Sequence, residues 1–247
     1  MSGPPCADPD RPDPDLADPD LPDPDRPDPA LVDAIAERAD AVRRRIAERT
    51  DRDVRVVCVT KAQPASTAAA ALAAGFTDLG ENYAQELRDK AAILAPQVAA
   101  AGAAWHFIGR LQTNKVRLVA DAVGLWESVD RSALAEQIAR RAPGAAVLVQ
   151  LDLAGLAGRG GCSPEDAPAL VARCVELGLD VRGLMGVGVP GDADDARQGF
   201  RLLDRMASEL GLAERSMGMS ADLDVAVEEG ATIVRLGSAL VGPRPPR

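Results

Sequence analysis

Aromatic residues are scarce in this chain: two Trp, one Tyr and three Phe among 247 residues. Stacked rings cannot fill a core of that size, so the 47% of hydrophobic residues must pack mainly through Ala, Val and Leu. Histidine is rarer still, with His106 alone, and the four cysteines (Cys6, Cys58, Cys162, Cys174) contain no CxxC pair. A zinc site needs several such ligands close together, so one built from Cys and His is not supported. Scattered thiols suit a reducing compartment. No long apolar run is present. Residues 91–109 are interrupted by Pro96, Gln97 and His106 and read as a helix, a loop and a strand, so no membrane span is expected. The first residues lack the basic start and apolar stretch of a secretory signal. A cytoplasmic protein is the expectation.

Lysine is the third scarcity. Of 28 basic residues only Lys61, Lys90 and Lys115 are lysines. The formal charge of −10 is uneven: residues 1–29 hold nine Asp against two Arg, a net of −7, which leaves −3 for the other 218 residues. Neither part offers the basic face of a nucleic-acid binder. The acidic part, PDPDLADPDLPDPDRPDP with its surroundings, contains ten of the 19 prolines and little to bury. It reads as a disordered tail over residues 1–29.

From residue 30 the pattern changes. Ile35, Ala39, Val42 and Ile46 step by four, three and four along one helix face. Eight short apolar runs follow, at 54–60, 77–81, 104–109, 122–129, 145–153, 181–188, 215–219 and 232–240. Helical segments lie between them at 65–74, 83–95, 113–121, 131–141, 163–178, 193–210 and 221–229, some with capping chemistry such as Ser128–Asp130 and Ser163–Pro164. Eight strands alternating with helices are what a parallel (β/α)8 barrel of the TIM type requires. An open doubly wound sheet is the alternative, but no GxGxxG follows the first strand. The reading is one α/β barrel over residues 30–247. In that fold the C-terminal strand ends carry chemistry, which places Lys61, Glu81, Asn82, His106 and Arg235–Ser238 on one rim.

Lys61 ends the run VRVVCVTKAQP. It reads either as a snorkelling side chain or as a desolvated amine able to form a Schiff base with a carbonyl compound, a task that arginine cannot perform. In LGENYAQEL, Asn82 either caps the following helix or bonds a ligand, and Tyr83 is the sole phenol. In WHFIGRLQTNK, His106 reads as a hydrogen-bonded structural group, since no partnered Ser or Cys supports a triad. In SMGMSADLDVAVEEGATIVRLGSALVG, Ser220 could cap a helix, and Gly218, Gly237 and Ser238 are small. Loops after the seventh and eighth barrel strands frequently bind phosphate through backbone N–H groups. Taken together the four segments suit a Schiff-base site with a phosphate cup.

These segments, with GLMGVG at 183–188, resemble in order the pyridoxal 5′-phosphate (PLP) homeostasis protein family, whose barrel is related to the N-terminal domain of alanine racemases. The match spans residues 54–242. The resemblance implies that Lys61 forms the internal aldimine with PLP. It further implies that Ser220 and the Gly237–Ser238 backbone hold the phosphate, that Arg235 faces the pyridine nitrogen and that Asn82 lines the pocket. Thr60 keeps the family's hydroxyl before the lysine, and Ser238 stands where Thr is frequent. QLDLAGLAGRGGC at 150–162 departs from the family's polar stretch, with Arg159-Gly160 as its remnant.

The function that follows is PLP binding for intracellular PLP homeostasis, without robust turnover. An arginine at the pyridine nitrogen leaves it unprotonated and a weak electron sink. The second acid/base that a racemase needs, a tyrosine on an additional domain in alanine racemases, looks absent. The expected partners are PLP and PLP-dependent apo-enzymes as recipients, with no nucleic acid, membrane or metal, and a monomer is expected. The rival readings are a PLP-dependent amino-acid racemase in a reduced barrel and an aldolase-like Schiff-base barrel without PLP.

Overall fold

A computed structural model describes residues 27–155, 160–189, 191 and 193–243. Residues 1–26 of the acidic segment, and Arg159, lie outside the described residues. The first helix, α1 (Pro29–Ala47), begins where Asp28 accepts from the Ala30 N–H and Pro29 supplies a preset φ. Its buried face is Ile35, Ala39, Val42 and Ile46, the face that the spacing predicts. Eight strands follow: β1 (Arg55–Val59), β2 (Asp78–Glu81), β3 (Ala104–Phe107), β4 (Val123–Val129), β5 (Ala146–Leu151), β6 (Asp180–Gly186), β7 (Glu214–Ser216) and β8 (Ile233–Leu236). They pair in chain order, all parallel, and β8 returns to β1 to close the barrel.

The outer ring contains α2 (Ala65–Ala73), α3 (Ala84–Ile93), α4 (Ala95–Ala100), α5 (Ser132–Arg141), α6 (Ala167–Glu176), α7 (Arg197–Glu209), α8 (Leu223–Glu228) and α9 (Ser238–Val241). Several elements are shorter than the sequence pattern predicts. The helix expected over 83–95 ends at Ile93, and a new one opens around Pro96, whose missing N–H suits a first turn. The segment expected as a helix over 113–121 is a 3-10 turn, Thr113–Leu118. The last apolar run, 232–240, is two elements: β8 stops at Leu236, and Ser238 starts α9.

Strand alternation divides the core in two. Outward positions such as Cys58, Leu79, Trp105, Phe107 and Trp126 pack under the helices, where most of the few aromatic rings sit. Inward positions include Val57, Val59, Leu125, Leu148, Met185 and Ile233, which form a separate apolar cluster inside the barrel. The rest of the interior is charged. Arg235 Nη1 donates to Ser216 Oγ at 2.6 Å, and that hydroxyl donates to Glu127 Oε2 at 2.5 Å. Glu127 Oε1 lies 2.6 Å from His106 Nδ1, and His106 Nε2 lies 3.0 Å from Asp78 Oδ1.

His106 therefore sits inside the barrel, not on the rim where strand order had placed it. Its structural reading holds. Burial alone would lower its pKa, but bonds to Asp78 and Glu127 outweigh burial and raise it from 6.5 to about 9. For Glu127, burial works against the carboxylate, yet His106 and Arg235 hold it below the usual range. The chain of alternating charges is thus self-neutralising, the condition under which buried ions are tolerated.

A pH dependence follows. The folded pKa of His106 is raised, so its stabilisation is complete below about 6.5 and is lost as pH rises through about 9. On the order of 3 kcal/mol should disappear across that window. The urea midpoint of the wild-type chain should fall between those limits, and the fall should be largely absent in His106→Gln. Parallel pH profiles for the two proteins would remove the network from this role.

Candidate functional site

The C-terminal end of the barrel holds a cavity of about 520 Å³. The six residues that the resemblance assigns to the cofactor all line it: Lys61, Asn82, Ser220, Arg235, Gly237 and Ser238; Glu81 and His106, also expected on this rim, do not. The reason is strand parity. Val57 and Val59 point inward, so Lys61, two positions on, continues the inner row past the end of β1. Arg235 and Gly237 continue the row of Ile233 on β8, and Asn82 continues that of Gly80 on β2. Since β1 pairs with both β2 and β8, these three rows meet.

Lys61 lies in a turn whose backbone is closely held. The Thr60 N–H donates to Gly80 O at 3.0 Å, and Gln63 N–H returns to Thr60 O at 3.1 Å. Ala62 takes φ 57°, a left-handed conformation unusual for alanine, and its N–H donates to Glu86 Oε2 at 2.8 Å. Below the turn, buried Lys90 donates to Thr60 O at 2.7 Å and to Glu81 Oε1 at 2.6 Å, while Thr60 Oγ1 donates to the same oxygen at 2.8 Å. Burial pushes the Glu81 carboxyl above its ordinary range, against the pull of Lys90. Two of the three lysines thus serve one turn, one presented to the cavity and one bracing it. The scarcity of lysine is the one sequence signal that points to Lys90.

Arg235 is buried and fixed by two bonds, to Ser216 and from Nη2 to Gly186 O at 2.8 Å. Burial lowers its pKa, opposed by Glu127 and Asp222, but a guanidinium stays charged. The 218–222 turn is set by Gly218 at φ +96°, where a Cβ would lie 2.5 Å from Ala226 Cβ, and by Met219 N–H donating to Asp222 Oδ1 at 2.6 Å. Ser216 and Asp222 lie within the SMGMSAD stretch without being singled out there, Glu127 belongs to none of the quoted segments, and parity becomes informative for them only once the strands are placed.

The alternative capping roles fall away. The position before α3 is Tyr83, with no side-chain cap, and Asn82 Oδ1 is buried without a hydrogen-bond partner among the described residues. Ser220 does not cap α8 either, since Asp222 occupies that position. Ser128 donates to Gly109 O at 2.6 Å in place of capping α5, whereas Ser163 does close the turn before α6 by accepting from the Asp166 N–H. Tyr83 is 50% exposed and lies outside this cavity.

The described residues of the divergent segment, 150–155 and 160–162, lie against the site. Leu151 bridges to Cys162, Gln150 Nε2 donates to Gly160 O at 2.8 Å, and Asp152 Oδ1 accepts from the Ala154 and Gly155 N–H groups. Gln150, Asp152 and Gly160 contribute to the wall. The cavity therefore presents an amine, a guanidinium, two hydroxyls, a carboxylate and two amides, of which Asn82 has an oxygen without a partner among the described residues. Such a set suits a ligand that carries a carbonyl, an anionic group and a hydrogen-bond donor, and the volume lies in the range of small-molecule sites. Among the described residues no cluster of three His, Cys, Asp or Glu could hold a metal, and no helix is long and apolar enough to cross a membrane.

Comparison with known proteins agrees with this geometry. Residues 32–245 match the family described as alanine racemase, N-terminal domain. A pyridoxal phosphate homeostasis protein of Pseudomonas aeruginosa is 40% identical over 228 residues, covering 86% of this chain and 97% of that protein. One of the same name from Escherichia coli is 34% identical over 209 residues, covering 79% and 88%. The solved structure of PipY from Synechococcus elongatus with PLP bound superposes with a TM-score of 0.73 at 33% identity, covering 84% of this chain and 100% of that one. The chain belongs to the pyridoxal phosphate homeostasis protein family, within the larger group of alanine racemase N-terminal domains.

Proposed function

We propose that residues 30–247 form a single PLP-binding unit that serves PLP homeostasis in the cytoplasm, as a monomer, and passes the cofactor to PLP-dependent apo-enzymes. The observation that carries this reading is the convergence of Lys61, Arg235, Asn82 and the Ser220 and Gly237–Ser238 turns on one cavity. When bound, PLP supplies an aldehyde that condenses reversibly with an amine. Lys61 is the amine in position to anchor it. Ser220, Ser238 and the Gly237 backbone would hold the phosphate, and Asp222 keeps the first of these turns in shape by holding the Met219 N–H. Arg235, with its guanidinium pinned by Ser216 and Gly186, would face the ring nitrogen as a donor. Asn82, whose buried Oδ1 has no partner among the described residues, would line the pocket near the ring.

A holding role, in preference to turnover, is supported by the wall itself. Its titratable side chains among the described residues are Lys61, Asp152 and Arg235. A racemase requires an acid/base on the ligand face opposite the lysine. Asp152 is the one carboxylate on the wall, and its Oδ1 is occupied by two backbone N–H groups. Tyr83, the only phenol, lines a different cavity.

Three outcomes are expected. Protein reconstituted with PLP should absorb in the visible, and borohydride should fix the cofactor's mass on the peptide containing Lys61. Lys61→Ala should lose both signals, and a wild-type chain that never acquires them would sink the PLP reading.

Lys90→Met removes the brace beneath the turn. It should weaken PLP binding by about tenfold or more and destabilise the fold by roughly 3 kcal/mol, because Glu81 and the Thr60 carbonyl lose a buried donor. Adding Glu81→Gln should restore much of the stability but not the affinity. Recovery of both together would mean that Lys90 acts only on overall stability.

In deuterated water the PLP-loaded protein should leave the α-protons of alanine and other amino acids unexchanged over hours. Rapid exchange abolished by Asp152→Asn would replace the carrier assignment with an enzymatic one.

A further inference from the structure

Beside the first cavity lies a second, of about 530 Å³, with Asn82 in the wall common to both. Its lining includes Tyr83, Arg110, Gln112, Lys115 and Arg131, and contains neither Asp nor Glu. Most of the residues come from two short stretches, the start of α3 and the GRLQTNK segment after β3, and Arg131 comes from the turn before α5. The GRLQTNK segment has no part in the function proposed above.

The electrostatics of this cavity stand apart from the rest of the molecule. Most described arginines are ion-paired, as Arg197, Arg201 and Arg215 are on the helical face. Among the described residues Arg110 and Lys115 have no carboxylate at ion-pair distance. Arg131 is partly neutralised: Nη1 is paired with Asp130, and Nη2 donates to Leu111 O at 2.7 Å. Counting Asp130 against the three cations leaves a net of two positive charges around a concave space. In a chain of formal charge −10, such a concentration without carboxylates raises the local anion concentration. No side chain caps α3, whose first residues Ala84 and Gln85 belong to the same wall. The exposed ring of Tyr83 provides an apolar flank.

We propose that this second cavity binds a small phosphate monoester. Its dianion would be held by Arg110, Lys115 and Arg131, with its organic part against Tyr83. Two net positive charges match a phosphate dianion better than a monoanion, and arginine forks suit phosphate oxygens. The volume exceeds what a bare ion needs. Lys61 does not line this cavity.

Phenyl phosphate is a suitable probe, with phenyl sulfate as the matching monoanion. Calorimetric titration would use full-length Ser220→Asp protein, in which the added carboxylate repels phosphate from the first cavity. One equivalent of phenyl phosphate should bind, and phenyl sulfate should bind at least about tenfold more weakly. Adding Arg110→Ala with Lys115→Ala should weaken phenyl phosphate by about tenfold or more. In the wild-type chain phenyl phosphate should also protect Lys115 from acetylation, a measurement that does not depend on the Ser220 variant folding. The proposal is overturned if Ser220→Asp protein shows no saturable binding and wild-type Lys115 is not protected. It is equally overturned if the two esters bind alike, or if the double alanine variant binds as before.

Discussion

The pairing of the first strand with the last is the constraint on which everything above it depends. Val57 lies beside Arg235 and Cys58 beside Leu236, so the two most distant strands in sequence share one register. Side chains alternate across a strand, and a slip of one residue would exchange the inner and outer rows. Lys61 would then face the helices, and Arg235 would leave the interior. The outer row is almost wholly apolar, with Cys58, Val234 and Leu236 under the helices, while the inner row carries the charges. Burial of the outer row thus fixes the register and delivers the lysine and the arginine to one rim.

Beneath that rim the interior is divided between grease and charge. Val57, Leu125, Leu148 and Ile233 fill one part, and the line from Arg235 through Ser216, Glu127 and His106 to Asp78 fills another. At the far end Arg55 lies 3.9 Å from Asp78 and 3.1 Å from Glu214. Each charge in the line has an opposite neighbour, which keeps the desolvation cost tolerable and fixes each side chain in direction. A cavity floor built this way is stiff. Arg235 cannot turn without breaking bonds to two other strands.

Much of this is legible in the sequence. Eight apolar runs separated by helical segments specify the barrel, and its general habit of placing chemistry at strand ends brings Lys61, Asn82, Ser220 and Arg235 together. The brace was harder to see. Lys90 reads as one more charged residue on an amphipathic helix, and its partners Glu81 and Thr60 are neighbours only because a β/α unit folds α3 back over β1 and β2. His106 reads from the sequence as structural but on the rim, because in a strand of four residues the interior and the end differ by a single position. Element ends were the least accurate feature. Backbone hydrogen bonding decides them: the apolar run 232–240 continues through Gly237 although the sheet does not.

The sign of the charge at the cavity floor bears on what such a site can do. Glu127 is as buried as Arg235, and their side chains approach to 3.9 Å, yet the carboxylate is held behind the guanidinium with Ser216 between them. Reversing that order would turn an acceptor toward the cavity, able to share a proton with a ring nitrogen and draw electron density from a bound cofactor. The observed order offers a donor that cannot give up its proton. On the proposed reading, Arg235 therefore contributes to holding the ligand and little to activating it. The same fixed network that orients the arginine prevents Glu127 from taking its place. Anchoring and weak activation then have one origin, the buried line of paired charges, and a carrier needs nothing more from the floor of its site.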